Sequence, residues 1–366
     1  MKARGWILTG AVMLGVAAGI LGGGVAHADD GTGKSAPHAT SDSRAATPRK
    51  AASATEVRMG VGHSKRPTRI STQPAASSPY TGRSPNRQLD ALLLTIWQIS
   101  TKIPGLNPAT PPPIVTRNLT VDHSVVDGMP VYTLRPQAST SSQEIIAIHG
   151  GAYVGQIGLI NWITYSDIAR DTGATVVVPV YPLAPDSTAV EVVPKIATLI
   201  TQEIATRGAA NVSVLGVSAG GGLALAAVQQ LVLTGAATPR RMVLVAPWLD
   251  ATVSDPASLT IHDQLLTVSA LREDGLLWAG QLDPSDPRVS PINGSLHGLP
   301  ITYVWSGSSD LLSPQTLRLR DIAAAQGLPN FTFILRAGEV HGWLAFPFLP
   351  SAVQDRPELE RQLVGA

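Results

Sequence analysis

A serine framed by glycines, Gly216-Val-Ser218-Ala-Gly220, is the residue of this chain best suited to covalent chemistry. It follows an apolar run at 211–216, typical of a buried strand, and precedes a helical pattern over 219–234. At so sharp a strand-to-helix turn the hydroxyl is lifted clear of the sheet, and the glycines keep other side chains away. The pattern predicts that Ser218 is a nucleophile for acyl transfer.

A serine hydroxyl is a poor nucleophile until a base removes its proton, and histidine is the usual base. In sheets that carry this kind of elbow the chain order is serine, then acid, then histidine. Among the eight histidines, His262, His297 and His341 follow the serine. Only His341 comes directly after the last predicted strand, so we expect it to be the base.

The acid should follow the preceding strand, where a carboxylate can hold the imidazole in the correct tautomer. Asp310 stands in the loop after the apolar run 301–305 and meets this requirement. Glu339, two residues before His341, is the alternative acid. Asp321 is expected on the exposed face of the following helix.

A second glycine pair, in His149-Gly150-Gly151, directly follows the predicted strand 144–148. Consecutive glycines allow backbone N–H groups to converge on one point. With the N–H of Ala219, those of Gly150 and Gly151 could hold a tetrahedral oxyanion, although an ordinary glycine-rich turn fits the same residues. Candidate pocket residues, for several of which simple core packing fits equally well, are Tyr153, Val217, Trp248 and Trp343.

Short apolar runs alternate with helical stretches from residue 88 onward, which predicts βαβ units and a mainly parallel sheet. The expected strands are 114–123, 129–135, 144–148, 175–180, 211–216, 241–246, 301–305 and 331–335. Asp127-Gly128 predicts a hairpin between the first two, which supplies antiparallel edge strands. The expected helices are 87–102, 158–172, 187–206, 219–234, 312–326 and 354–363. These elements predict an α/β-hydrolase fold.

Five motifs in register resemble those of the hormone-sensitive-lipase-like esterases. They are His149-Gly-Gly-Ala-Tyr153, Tyr181-Pro-Leu-Ala-Pro185, Gly216-Val-Ser-Ala-Gly-Gly221, Ala246-Pro-Trp-Leu-Asp250 and Asp286-Pro-Arg-Val-Ser-Pro291. The resemblance implies an eight-stranded sheet, a helical cap from about 85–115 and 250–285, and ester hydrolysis by Ser218, Asp310 and His341 without a cofactor. Departures are Ala152 for the third glycine, Val217 where an acidic residue is common, and Pro182 for an arginine.

The first 28 residues have the features of a secretory signal: Lys2 and Arg4, an apolar run and Ala26-His27-Ala28. We expect export with cleavage after Ala28, and an uncleaved anchor is the alternative. Residues 29–84 are predicted to be a disordered basic linker, with the catalytic domain at 85–366. Ten basic and four acidic residues in 29–87 suggest that the linker could contact an anionic envelope or membrane surface.

Charge and composition exclude several classes of protein. Residues 88–366 hold 15 basic and 22 acidic residues, which is unsuited to nucleic-acid binding. The absence of cysteine excludes disulfides and thiolate catalysis, and no metal site is expected. The expected partner is a small-molecule or lipid ester. The alternatives are an amidase, formamidase or deacetylase with the same residues, a non-catalytic ligand-binding protein of this fold, and an envelope-attached structural protein.

Overall fold

The computed structural model describes residues 78–82, 86–102 and 108–365. The predicted signal peptide (1–28) and most of the predicted linker (29–84) lie outside these residues. No helix in the described part of the chain is long and apolar enough to cross a membrane.

The strands of the described residues form one eight-stranded sheet, in the order β1-β2-β4-β3-β5-β6-β7-β8. They are β1 (Leu119–Val126), β2 (Met129–Pro136), β3 (Glu144–Ile148), β4 (Thr175–Pro179), β5 (Val212–Val217), β6 (Arg241–Val245), β7 (Ile301–Ser309) and β8 (Phe331–Val340). The β1–β2 hairpin joins the rest through an antiparallel pair between β2 and β4, and all other neighbours are parallel. The prediction of an α/β-hydrolase fold is thereby confirmed.

Seven α-helices accompany the sheet within the described residues. They are α1 (Arg87–Thr101), α2 (Leu159–Thr172), α3 (Ala189–Arg207), α4 (Ala219–Leu233), α5 (Val268–Ala279), α6 (Ser313–Ala325) and α7 (Pro350–Val364). Apolar residues of α3, α4 and α5 belong to one hydrophobic core, and those of α2 and α7 belong to a second. Because both faces of the sheet are covered, every residue of β3, β4, β5 and β6 is buried.

Two strands extend further than their apolar runs. β7 and β8 were expected at 301–305 and 331–335, but they continue to Ser309 and Val340. Their additional residues are largely polar or glycine, so an apolar pattern does not reveal them, whereas backbone pairing between the two strands continues through a register shift near Gly307 and Ser309. Because of this extension, Asp310 and His341 come directly after the ends of the two strands. The first strand was also placed too early, because it begins at Leu119.

The N-terminal boundary of the catalytic domain was predicted too late. Thr81 lies beside Arg336 on the outer edge of β8, donates its N–H to the Leu335 carbonyl at 3.0 Å and accepts the Ala337 N–H at 2.9 Å. Burial raises the pKa of the neighbouring Tyr80, whose ring reaches toward Ser306, Ser313 and Asp310. The composition of 29–84, averaged over the whole segment, concealed one short stretch with an aromatic anchor. We call residues 78–82 the edge segment.

Disrupting the edge segment should destabilise the protein. In the full-length chain, Tyr80→Ala removes a large, partly buried side chain, and Thr81→Pro removes the N–H that bonds Leu335. We expect each to lower the free energy of unfolding by about 1–2 kcal/mol, measured by chemical denaturation. The matched controls are Tyr80→Phe, which keeps the ring, and Thr81→Ala, which keeps the N–H. Disruptive variants as stable as their controls would contradict this role.

Only part of the predicted cap lies above the sheet. Gln98 of α1 donates its side-chain amide to the Gln264 carbonyl at 3.2 Å, so the two cap stretches contact each other. Helix α5, by contrast, packs on the body: Leu271 and Trp278 are buried in the same core as α3. The stretch 250–285 therefore contributes mainly the residues just before α5 to the region above the sheet.

Candidate active site

The parallel register brings the loops after five strands to one edge of the sheet. Ile148 at the end of β3 pairs with Gly216 of β5, and Val217 pairs with Val245 of β6. Val245 in turn pairs with Trp305 of β7, and Ser309 of β7 pairs with Val340 of β8. The residues that follow these strand ends, among them Ser218, Asp310 and His341, can therefore meet although they are far apart in sequence.

Ser218 has an unusual backbone conformation, with φ 57° and ψ −122°. For a residue with a side chain this conformation is strained and persists only where the surroundings enforce it. Here the Ser218 N–H donates to the Val245 carbonyl at 2.9 Å. Its own carbonyl accepts N–H groups from the first turn of α4 and from Trp248. Bonds on both sides of the residue hold the elbow in place.

The glycines of the elbow are required because neighbouring backbone leaves no room for a Cβ atom. A Cβ on Gly216 would lie 2.4 Å from the Gly220 carbonyl oxygen, and one on Gly220 would lie 2.3 Å from that of Ile148. Both contacts are with backbone, which cannot move aside like a flexible side chain. Strand, turn and helix can therefore pack this closely only with glycine at both positions.

The three residues predicted for catalysis lie together. His341 Nε2 is 2.9 Å from Ser218 Oγ. His341 Nδ1 is 3.0 Å from Asp310 Oδ1, a close contact without the N–H alignment of a full hydrogen bond. Such bonds are often imperfect before substrate binds. Asp310 Oδ1 also accepts the Leu312 N–H at 2.8 Å, which fixes the carboxylate. All three side chains are buried.

The electrostatics suit His341 to accept a proton. Burial opposes its charged form, but the negative charge of Asp310, with a smaller contribution from Asp263, outweighs this and raises the pKa of the imidazole. A raised pKa makes the ring a stronger base toward the Ser218 hydroxyl. The arrangement can therefore move the serine proton to Nε2 and stabilise the resulting imidazolium.

The glycine loop after β3 is fixed by His149 and Tyr181. Their rings stack with centroids 4.2 Å apart, and the Tyr181 hydroxyl donates to the His149 carbonyl at 2.9 Å. Burial lowers the pKa of His149 to about 4, so its ring is neutral at neutral pH. Nδ1 lies 2.6 Å from the Gly150 carbonyl, the distance of a donated hydrogen bond. His149 thus orients the loop, and its lowered pKa makes it a much weaker base than His341.

A cavity of about 730 Å³ opens beside Ser218 and His341. Gly150 and Gly151 of the glycine loop and Val217, a candidate pocket residue, are among the residues that line it. Its other described lining residues are mostly apolar or amide-bearing, with one cation: Gln98, Lys102, Ala152, Gln156, Gly158, Ile160, Asn161, Leu265, Leu266, Gly342, Ala345 and Phe346. Ala219, the third predicted oxyanion donor, begins α4, where backbone N–H groups have no partner within the helix.

Three predicted pocket residues are instead core residues. Tyr153 stacks on Trp278 with ring centroids 4.0 Å apart and lies between it and Trp248. Trp343 packs edge-on against Trp305, with its indole N–H directed at Asp355. Tyr153, Trp248 and Trp343 are at most 1% exposed and are not among the described residues that line the cavity. The pocket prediction was wrong for them because neighbouring layers of the fold cover their rings completely.

The rejected acid–base candidates lie elsewhere. Glu339 accepts the Ser351 hydroxyl at 2.8 Å, and burial raises its pKa to about 7. His262 and His297 are exposed, and Asp321 pairs with Arg320 at the surface. Sequence reasoning overlooked one nearby carboxylate, Asp263, because it lies in a loop without a periodic pattern or motif. Within the described residues no cluster of histidine, aspartate or glutamate could hold a metal ion.

Comparison with known proteins identifies the fold family of the chain. Residues 145–345 match the α/β-hydrolase fold family. A triacylglycerol lipase of Mycobacterium tuberculosis is 40% identical over 285 residues, which cover 76% of this chain and 59% of the lipase. An esterase of Acinetobacter venetianus is 34% identical over 200 residues, covering 52% of this chain and 64% of the esterase. The chain thus spans about three fifths of the length of these two relatives.

Solved structures with a similar fold include esterases. An esterase from the bacterial hormone-sensitive lipase family superposes with a TM-score of 0.63 at 25% identity, covering 78% of this chain and 93% of that one. Fold and family match together define an α/β-hydrolase. The chain belongs to the α/β-hydrolase fold family. Its likeness to this esterase supports the resemblance to hormone-sensitive-lipase-like esterases seen in its motifs.

Proposed function

We propose that this protein hydrolyses carboxylic esters through a covalent acyl-enzyme on Ser218. The observation that carries the proposal is the contact chain from Ser218 Oγ to His341 Nε2 and from His341 Nδ1 to Asp310 at a cavity of about 730 Å³. The relatives named as lipase and esterase support the choice of substrate bond.

In the first step, Ser218 Oγ bonds to the ester carbonyl carbon while His341 Nε2 takes the hydroxyl proton. The negative oxygen that forms is held by backbone N–H groups of Gly150, Gly151 and Ala219. The intermediate then breaks the bond between carbon and the alcohol oxygen, and His341 returns its proton to the departing alcohol. A water molecule repeats the sequence on the acyl-serine, releasing the acid and restoring Ser218.

The test is hydrolysis of p-nitrophenyl esters from acetate to palmitate, an emulsified triacylglycerol and matched p-nitroanilides. Ser218→Ala serves as the blank. We expect wild-type activity on the esters well above the blank and a much lower rate on the anilides. A folded wild type no more active than the blank on every ester would refute the proposal. Preference for the anilides would favour an amidase.

The sequence features at 1–84 support a proposal about location. The charged start, the apolar run and Ala26-His27-Ala28 favour export with cleavage after Ala28. The basic residues that follow could then contact an anionic envelope. Mass spectrometry of the N-terminus of protein recovered from the producing cell tests the cleavage position.

A further inference from the structure

The carboxylate of Asp263 lies in the loop between β6 and α5 and connects two parts of the active site. Its Oδ2 accepts the backbone N–H of Leu311, the residue after Asp310, at 2.9 Å. Its Oδ1 accepts the N–H groups of Leu265 and Leu266 at 2.8 and 3.1 Å. Three backbone donors on two oxygens match the acceptor capacity of an ionised carboxylate.

The three backbone donors belong to the loop of Asp310 and to the wall of the cavity. The Leu311 N–H fixes the loop in which Asp310 stands, 48 residues away in sequence. Leu265 and Leu266 line the cavity beside Ser218. One side chain therefore joins the wall of the substrate cavity to the loop of the acid, and a displacement of either would be transmitted to the other.

Asp263 also acts on His341 through its charge. Among the described charged groups, Asp310 and Asp263 both favour the protonated imidazole, while Lys102, which follows the end of α1, lines the same cavity. Burial and the nearby Asp310 charge raise the pKa of Asp263, while His341 and the backbone donors oppose this. Two carboxylates thus favour the charged form of the His341 imidazole. Asp310 contacts Nδ1, and Asp263 acts through its negative charge from the loop before α5.

We infer that Asp263 is a positioning residue for the triad, which holds the Asp310 loop against the cavity wall and supports the positive charge that forms on His341. The inference rests on the proposed function and deepens it. Asp263 does not contact the reacting atoms itself. Its effect should therefore appear both in the turnover number and in the pH at which His341 titrates.

The experiment compares Asp263→Asn, Asp263→Glu and Asp255→Asn with wild type, using pH profiles of kcat and kcat/KM on the best p-nitrophenyl ester. Asparagine removes the negative charge of Asp263. Its NH₂ group cannot accept the backbone N–H bonds that one of the two carboxylate oxygens accepts in wild type. A negative neighbour raises the pKa of His341, and His341 must be neutral to act as a base. Loss of that neighbour therefore moves the acid limb of the pH–rate profile to lower pH. For Asp263→Asn we expect a shift of about 0.5 pH or more and a kcat reduced about 10- to 100-fold.

Asp255→Asn is the matched control, since Asp255 lies in the same loop and caps Ala257 at 2.9 Å. It should keep the wild-type profile. Asp263→Glu retains the charge and should keep the acid limb near the wild-type pH even if its kcat falls. An unchanged limb in Asp263→Asn, whether its rate is normal or reduced, would overturn the inference. Ser218→Ala distinguishes failure of this inference from failure of the proposed function. If Ser218→Ala is inactive while Asp263→Asn has the wild-type rate and pH profile, the role of Asp263 is refuted and the proposed function is retained.

Discussion

Replacing Ser218 by alanine is expected to reduce kcat on esters by about 10⁴- to 10⁶-fold, because the acyl-enzyme can no longer form. The fold should remain intact. The bonds that hold the elbow are made by the backbone of residue 218 to Val245, α4 and Trp248, and alanine keeps this backbone. Steady-state assays beside thermal unfolding would show a large loss of rate with an almost unchanged Tm.

Glycine at the same position separates chemistry from strain. Ser218→Gly should be as inactive as Ser218→Ala, but it removes the Cβ that makes φ 57° and ψ −122° unfavourable. Relief of about 1–3 kcal/mol of strain exceeds the about 0.5–1 kcal/mol entropic cost of glycine, so the glycine variant should be the more stable of the two. An alanine variant that kept more than about one hundredth of wild-type activity would show that Ser218 is not the nucleophile.

Replacing Asp310 by asparagine is expected to reduce kcat about 10⁴-fold while binding is largely retained. In wild type one oxygen, Asp310 Oδ1, both accepts the Leu312 N–H at 2.8 Å and lies 3.0 Å from His341 Nδ1. An asparagine that keeps its oxygen there lacks the negative charge that stabilises the imidazolium. One that places its NH₂ group there donates to Nδ1, which favours the tautomer with the proton on Nε2. A protonated Nε2, 2.9 Å from Ser218 Oγ in the wild type, cannot take the serine proton.

The pH dependence of this variant has a definite sign. The negative charge of Asp310 overcomes the effect of burial and raises the pKa of His341. In wild type, kcat/KM should rise with pH through that raised pKa, as the imidazole becomes neutral. Asp310→Asn should move this rise to lower pH. The matched control is Asp321→Asn, an exposed residue that pairs with Arg320 on α6, which should leave rate and pH profile unchanged. A rise at unchanged pH in Asp310→Asn would assign the acid to another residue.

The candidate nucleophile, acid and base could be chosen from sequence because each follows a recognisable strand in a fixed order. Ser218 stands in a local motif whose glycines are demanded by close backbone contacts. Asp310 and His341 carry no such motif, but chain order in this fold restricts them to the loops after the last two strands. The fold itself was recovered for the same reason, since apolar runs of strand length are a local signal.

The pocket was predicted poorly because burial is not a local property. Tyr153, Trp248 and Trp343 stand close in sequence to catalytic motifs, yet their rings are covered by core layers from distant parts of the chain. The residues that do face the cavity, such as Leu265 and Phe346, lie in segments without a motif. The edge segment at 78–82 was missed likewise, since its bonds to β8 join residues about 250 positions apart.

By itself, the amino-acid sequence determined the class of fold, the Ser218 elbow, the order of the proposed catalytic residues and the glycine loop at 149–151. These depend on short-range patterns of apolar spacing, glycine and chain order. Only the tertiary structure decided the parallel register that brings five loops to one edge, the residues that line the cavity and the bonds of Asp263 to Leu311, Leu265 and Leu266. Such contacts arise when distant segments pack together, and no local pattern encodes which partners will meet.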